Sequence, residues 1–330
     1  MEGVSTQASM VTFKNQPKLT GDAVDQEHDA LRLALVPRLE QFLATDELFA
    51  GREVSVTFSK EGISSLVAFV EVQEEKYVLK IPLGTTVPEG SEALFLKTWE
   101  AGNVRVPHVF KEGRIAERPF VLMQFIDAPL VGEKYGNDPA KMEQVYFEAG
   151  TILRNMHKPE ATGFGLVVEG RGEYESFDQW LNSADMKKRE EYIQEHGVLH
   201  DEEHGSYATA KKVLIDYIGD SDTSSYCHFD YSTGHLFATE PPTVFDPNPF
   251  FNHGYIDLGK TLVNYIAHSG TFPQKLLAGY GDEGHVDEQV LHAAIFVNMV
   301  YKLPYQHQKN RTQVIENFHT YLAQHKSLLE

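Results

Sequence analysis

Apolar positions along the chain change their period near residue 50 and again near residue 138. Over residues 22–48, Leu31, Leu33, Leu35, Leu39, Phe42 and Leu43 follow a helical stripe, and Pro37 inside it predicts a kink or a split. Val54, Val56 and Phe58 then alternate with polar residues, residues 66–72 are β-branched and apolar, and residues 77–81 are interrupted only by Lys80. Three short strands with turns at 59–64 and 73–76 make an antiparallel meander. Val87-Pro88-Glu89-Gly90-Ser91 reads as a helix start, and residues 92–100 place Leu94, Phe95 and Trp99 on helical spacing. Two further strands are predicted at 109–111 and 120–126, so this part of the chain is a small sheet with one inserted helix.

Beyond Asp138 helical patterns dominate, at 139–156, 177–182, 207–218, 256–268, 286–301 and 311–325. Residues 226–246 differ, with the short apolar pieces Leu236-Phe237 and Val244-Phe245 separated by turn residues. The expected organisation is a frayed leader over residues 1–20, a β-rich N-terminal lobe over 21–127 and a mainly helical C-terminal lobe over 128–330. Active sites commonly occupy the cleft between two such lobes. No repeat at a period of 20–50 residues interrupts the scheme.

Composition narrows the function classes. Of 330 residues, 42% are apolar, enough for one large core or two smaller ones. Asp and Glu outnumber Lys and Arg 48 to 29, a formal charge of −19 that repels phosphate backbones and argues against nucleic acid as a partner, while suiting a cationic small molecule. The longest apolar runs fall far short of the ~20 residues that cross a membrane. The polar N-terminus has no secretory core. Cys227, the single cysteine, allows no internal disulfide, and no structural zinc cage is indicated. A cytoplasmic globular protein is the expectation.

The richest chemistry lies in Cys227-His228-Phe229-Asp230-Tyr231-Ser232-Thr233-Gly234-His235-Leu236, followed by Val244-Phe245-Asp246-Pro247-Asn248. Two carboxylates and a histidine at turns beside short strands suit transfer of a phosphoryl group from a nucleotide. One carboxylate, Asp230, accepts or orients the proton of the acceptor hydroxyl, and Asp246 with His235 holds Mg²⁺ against the phosphate oxygens. In the N-terminal part, Lys80 stands on a strand among apolar residues, and Glu92, twelve positions later, lies in the first turn of the predicted helix where it can pair with it. The Ser59–Ser65 turn, including Ser64 and Ser65, offers amides and hydroxyls to close over phosphates.

In this ordered series the chain resembles the aminoglycoside phosphotransferase/choline kinase-like family, small-molecule relatives of the protein kinases. The series runs over roughly residues 50–300. It comprises Lys80, Glu92, the linker strand Phe120-Val121-Leu122-Met123-Gln124-Phe125-Ile126, the helix end Leu153-Arg154-Asn155-Met156-His157, His228-x-Asp230, Asp246 and Tyr255-Ile256-Asp257-Leu258-Gly259. The resemblance implies a two-lobed α+β fold of protein-kinase type and transfer of the γ-phosphate of ATP or GTP, with Mg²⁺, to a hydroxyl of a small acceptor such as an aminoglycoside, a macrolide or an amino alcohol. Asp230 then corresponds to the catalytic base, Asp246 to the Mg²⁺-binding aspartate, and Lys80, oriented by Glu92, to the lysine on the α- and β-phosphates. Backbone groups near Gln124 and Ile126 correspond to those that meet the purine, and Asp257 to a residue that braces the catalytic loop. Lys80, Asp230 and Asp246 are expected to border one crevice.

Two positions depart from the family pattern. Phe229 stands where Gly is usual and His235 where Asn is usual; macrolide kinases of the family also carry Gly-His-Leu, as Gly234-His235-Leu236 does here. These departures motivate a second reading, a kinase-like protein that binds nucleotide without catalysis. A third, a metal-dependent hydrolase using His228, Asp230 and His235, leaves Lys80 and Glu92 without a role. His228 is expected to be structural, Cys227 to be a small buried apolar residue, and the acidic positions from Glu190 to Glu203 to be a solvated face or a rim that attracts an amine.

Overall fold

The computed structural model describes residues 10–20, 26–62, 64–84, 88, 90–281 and 286–329. It divides into two units, one of Met1–Lys97 with Pro107–Asp127 and one of Thr98–Val106 with Ala128–Glu330.

The first unit is a six-stranded sheet with two helices. In chain order it contains β1 (Met10–Phe13), α1 (Gln26–Thr45), β2 (Glu53–Phe58), β3 (Ser65–Val72), β4 (Glu75–Pro82), α2 (Ser91–Ala101, whose last residues count with the second unit), β5 (Val109–Ile115) and β6 (Arg118–Gln124). The strand order is β1-β2-β3-β4-β6-β5. The meander forms because β2 and β3 alternate strictly, so that Val54, Val56, Phe58, Leu66, Ala68, Val70 and Val72 all bury one face. Leu35, Leu39 and Leu43 of α1 join that core, with Phe42 and Phe120 ring to ring at 4.9 Å.

Two expectations are corrected here. Helix α1 runs through Pro37 as one element, so the expected split does not occur. Residues 10–13 of the supposed leader form β1, parallel to β2 from Met10 opposite Glu53 to Phe13 opposite Val56; residues 1–9 lie outside those described. The ring of Phe13 stacks on Phe58 at 5.6 Å, and the Asn15 amide both donates to the Phe58 carbonyl (2.9 Å) and accepts from its N–H (2.7 Å). The residues of the helix start at Val87 and Glu89, and Ile63 of the serine turn, also lie outside the described set.

The second unit carries helices α3 (Val131–Tyr135), α4 (Pro139–Met156), α5 (Phe177–Leu181), α6 (Ala184–Glu195), α7 (Asp201–Ile218), α8 (Gly254–Ser269), α9 (Gln274–Tyr280), α10 (Glu288–Gln308) and α11 (Thr312–His325). Its strands are β7 (Glu160–Thr162), β8 (Phe164–Val168), β9 (Arg171–Tyr174), β10 (Thr223–Cys227), β11 (Leu236–Phe237), β12 (Thr243–Val244) and β13 (Phe250–Asn252). The sequence pattern predicted mainly helix here; the structure adds a five-stranded sheet, β7-β10-β13-β8-β9, and the β11–β12 ribbon.

Three features fix the frame around the loop after β10. Helices α4 and α9 approach so closely that a Cβ on Gly150 would lie 2.0 Å from the Leu276 carbonyl, and one on Gly279 1.9 Å from that of Phe147. Only glycine fits at either position. Helices α8 and α10 are the most deeply buried, and the Asn298 amide joins them by donating to the Ile256 carbonyl at 2.9 Å. Finally, β11 pairs with β12 in the register Leu236 opposite Val244, which places the residues just outside the ribbon, His235 and Phe245, side by side.

Candidate active site

In the first unit, Lys80 sits on β4 between Val67 of β3 and Val121 of β6. Its Nζ lies 2.9 Å from Oε1 and 2.8 Å from Oε2 of Glu92, in the first turn of α2. The side chains are only 12% and 8% exposed, so each charge depends on the other for the solvation that water does not supply. Ser65 opens β3 opposite Pro82, and the Ser64 carbonyl accepts the Leu83 N–H at 2.9 Å, tying the serine turn to the end of β4. Gln124 closes β6, and its N–H donates to the His108 carbonyl at 2.8 Å. That N–H is therefore engaged by the residue just before β5, and Ile126 beyond the strand is half-buried.

In the second unit, the loop after β10 is built around Asp257. This carboxylate, wholly buried near the start of α8, accepts the backbone N–H of His228 (2.7 Å) and of Phe229 (2.8 Å) and meets Nε2 of His157 at 2.9 Å. Burial alone would raise its pKa; the hydrogen bond from His157, the nearby imidazoles and the Phe229 amide outweigh burial and hold it below the usual carboxylate range. Asp257 is thus the brace expected from the sequence. His228 is structural as well: its Nε2 donates to the Phe245 carbonyl at 3.0 Å, and its ring stacks on Trp99 and on His235. The Cys227 thiol, buried and raised well above its ordinary pKa by burial and then by the charge of Asp257, is inert.

Phe229 explains one departure from the family pattern. Its φ is +57°, the left-handed region that favours glycine. A side chain there costs about 1–2 kcal/mol. The ring compensates by stacking on Phe250 at 4.1 Å and by lying 3.4 Å from the ammonium of Lys260, within the buried core. Truncating a buried Phe costs about 3–5 kcal/mol, more than the strain it would relieve. Phe229→Gly, although it restores the family's usual residue, is therefore expected to destabilise the protein by about 2–3 kcal/mol in urea denaturation. An increase in stability would show that strain, not packing, governs this position.

Beyond Phe229 the loop presents Asp230, exposed to solvent, and turns through Thr233–His235 to the ribbon. Nδ1 of His235 lies 2.6 Å from the Asp230 carbonyl, which can only accept, so Nδ1 carries the proton and Nε2 the lone pair. That Nε2 stands 4.0 Å from Oδ2 of Asp246, held there because the Phe245 N–H donates to the His235 carbonyl at 3.1 Å. Asp246 itself adopts φ +56°, a conformation aspartate tolerates better than most residues. Asp230, His235 and Asp246 are thus brought together by one loop and one ribbon, whereas Lys80, Glu92, Ser64, Ser65, Gln124 and Ile126 belong to the first unit. His228, Asp230 and His235 do not form a three-ligand cluster among the described residues.

Two neighbours of Asp230 escaped the sequence reading. Lys260 is buried, and burial, then the charge of Lys302, lowers its pKa to about 7 against the opposing pull of Asp230 and Asp257. Lys302, which donates to the Asn264 side chain, is lowered mainly by burial, again against Asp230. The only signal in the sequence was a lysine among the apolar residues of α8. Tyr231 and Ser232 pack the loop: the Tyr231 hydroxyl donates to the Ala149 carbonyl at 2.9 Å, and Ser232 Oγ accepts the Gly234 N–H.

Burial also lowers the pKa of His228 and of His253, the N-cap of α8, to about 4 each. Both imidazoles are neutral when folded and protonate on unfolding below about pH 6.5, so their contribution is complete above that pH and is lost as pH falls toward 4. His253→Asn keeps a capping side chain without the titration. Between pH 6.5 and 4.5 its unfolding free energy is expected to fall less steeply than the parent's, by about 1.4 kcal/mol per pH unit. Parallel curves would place the titration elsewhere.

The model of the phosphotransferase enzyme family matches residues 55–291, and the chain belongs to that family. It is a phosphotransferase with an alcohol group as acceptor. No curated protein matches the chain by sequence. Among solved structures, a protein assigned as a fructosamine-3-kinase from Thermobifida fusca is 17% identical, with a TM-score of 0.57 over 83% of this chain and 95% of that one. A thermostable mutant of aminoglycoside phosphotransferase APH(4)-Ia, in ternary complex with AMP-PNP and hygromycin B, is 12% identical, with a TM-score of 0.59 over 81% and 93%. Spectinomycin phosphotransferase APH(9)-Ia, with ADP and its antibiotic, is 15% identical, with a TM-score of 0.52 over 85% and 93%. The shared fold is the two-part α+β, protein-kinase-like one expected from the sequence.

Proposed function

We propose that the protein is an ATP-dependent kinase that phosphorylates a hydroxyl of a small, cationic acceptor, with Asp230 as the base. The observation that carries this reading is that His235 bonds the Asp230 carbonyl and stands 4.0 Å from Asp246, beside a loop whose amides Asp257 braces. Asp230 is exposed and so accessible to an acceptor hydroxyl. Asp246 offers a carboxylate and His235 a lone pair 4.0 Å away, a donor pair that suits a divalent cation whose remaining positions are filled by phosphate oxygens and water. Mg²⁺ prefers oxygen and fits Asp246 better than His235; bound there, it would neutralise charge on the transferring phosphate.

Lys80, held by Glu92, would contact the α- and β-phosphates, with Ser64 and Ser65 closing over them and the backbone at Gln124 and Ile126 meeting the adenine. ATP is the donor favoured because related structures hold AMP-PNP or ADP; GTP has no such support. Hygromycin B and spectinomycin in those structures support a small-molecule acceptor, and the charge of −19 supports a cationic one. Among the described residues no helix is long and apolar enough to cross a membrane, and a cytoplasmic location gives access to ATP. The engaged Phe229 amide and the oriented His235 lone pair favour an active enzyme over a protein that only binds nucleotide.

The test is ATP consumption with Mg²⁺ against a panel of amines, sugars and antibiotics, with Asp230→Asn as the blank. Acceptor-dependent ADP release in the parent alone supports the reading. Binding of ATP without transfer to any acceptor, or equal turnover in the blank, contradicts it.

A further inference from the structure

We propose that His200, Glu203 and His319 form a binding site for a transition-metal ion, zinc foremost, separate from the Asp230 loop. Glu203 belongs to the acidic stretch expected to be solvated, yet it is only 7% exposed. It lies one turn from His200, which caps the start of α7, and it meets His319 of α11 from across 116 residues, a separation that hid the cluster in the sequence. Nδ1 of His319 is 2.8 Å from Oε1 and 3.0 Å from Oε2 of Glu203, and Nδ1 of His200 is 3.5 Å from Oε2. One ligand atom from each residue falls within 4.8 Å of the others. Two atoms bound tetrahedrally to zinc at about 2.0–2.1 Å stand roughly 3.3 Å apart, so small side-chain movements suffice.

The arrangement is more than an ion pair clamping two helices. A clamp requires one histidine; here two imidazoles stack at 4.2 Å and 20° and turn the same nitrogen, Nδ1, toward one carboxylate. The carboxylate is itself oriented, because Oε2 accepts the His200 backbone N–H at 2.7 Å, leaving Oε1 as the ligand oxygen. An outer hydrogen bond of this kind is what fixes ligands around metals. The three residues also line a cavity of about 290 Å³ with His292, Tyr321 and His325. Three protein ligands on the wall of a cavity leave a fourth position for water or a small anion, the open form of a two-histidine, one-carboxylate site. Imidazole and carboxylate together favour zinc, or cobalt and nickel, over Mg²⁺.

The full-length protein, stripped with a chelator, is titrated calorimetrically with ZnCl₂ and, separately, with MgCl₂. The same titrations are run on His200→Ala, His319→Gln and Asp246→Asn, and Co²⁺ absorption spectra are recorded alongside. One equivalent of zinc is expected, with magnesium not competing. Loss of a ligand should weaken zinc by about 100-fold or more, beyond the 10–100-fold typical of outer-shell changes. Asp246→Asn should retain this equivalent and the cobalt spectrum. The His200 side chain is 65% exposed and its backbone supplies the cap bond, so His200→Ala keeps the test valid if His319→Gln misfolds. The proposal fails if the parent binds no zinc, if His200→Ala binds it as the parent does, or if only Asp246→Asn abolishes it.

Discussion

Asp230→Asn is expected to lower kcat by about 10²–10⁴ while leaving KM for ATP within a few-fold of the parent, the size of effect that a positioned general base contributes. The side chain is exposed and its backbone carbonyl, not its carboxylate, accepts the His235 hydrogen bond, so the substitution leaves the loop intact. Asparagine keeps the shape but cannot take the proton of the acceptor hydroxyl. Steady-state rates with a fixed acceptor and varied ATP separate the two parameters. An unchanged kcat would remove Asp230 from the chemistry, whereas a large rise in KM alone would assign it to nucleotide binding.

The second large effect concerns Asp257, which accepts the amides of His228 and Phe229 immediately before Asp230. Asp257→Ala leaves the buried amides of His228 and Phe229 without their acceptor and His157 without its carboxylate. Each orphaned buried donor costs about 1–3 kcal/mol, and breaking a buried charged network about 3–5 kcal/mol in total. Urea denaturation should register that loss, and turnover should fall with it because the loop that presents Asp230 loses its anchor. Because the folded pKa of Asp257 is depressed, its contribution is fully present above the ordinary carboxylate range and disappears only as pH falls through the depressed value. The gap between parent and variant should therefore be constant near neutrality and narrow in strong acid. A variant as stable as the parent at pH 7 would contradict the brace.

Much of this architecture is legible in the residues themselves because its signals are local. Strict alternation in β2 and β3 follows from one buried face, and Lys80 stands out because a charge in an apolar strand needs a partner, which Glu92 supplies. The features that are not legible depend on pairing across distance. Strand β1 is held by β2 some forty residues on, and β7, β10 and β13, of three to five residues each, acquire strand character only from their neighbours. The His157–Asp257 contact spans 100 residues. Phe229 could be identified as a departure from glycine, but its left-handed backbone and the Lys260 ammonium over its ring belong to the folded chain alone.

The most direct test of the proposal that the protein is an ATP-dependent kinase is calorimetric titration of AMP-PNP with Mg²⁺ into the parent, Lys80→Met and Asp246→Asn. The parent is expected to bind one equivalent, and each variant to weaken that same equivalent by about 10-fold or more, the worth of a lost charged hydrogen bond. Undiminished affinity in either variant, or a second nucleotide appearing when one is lost, would contradict the account.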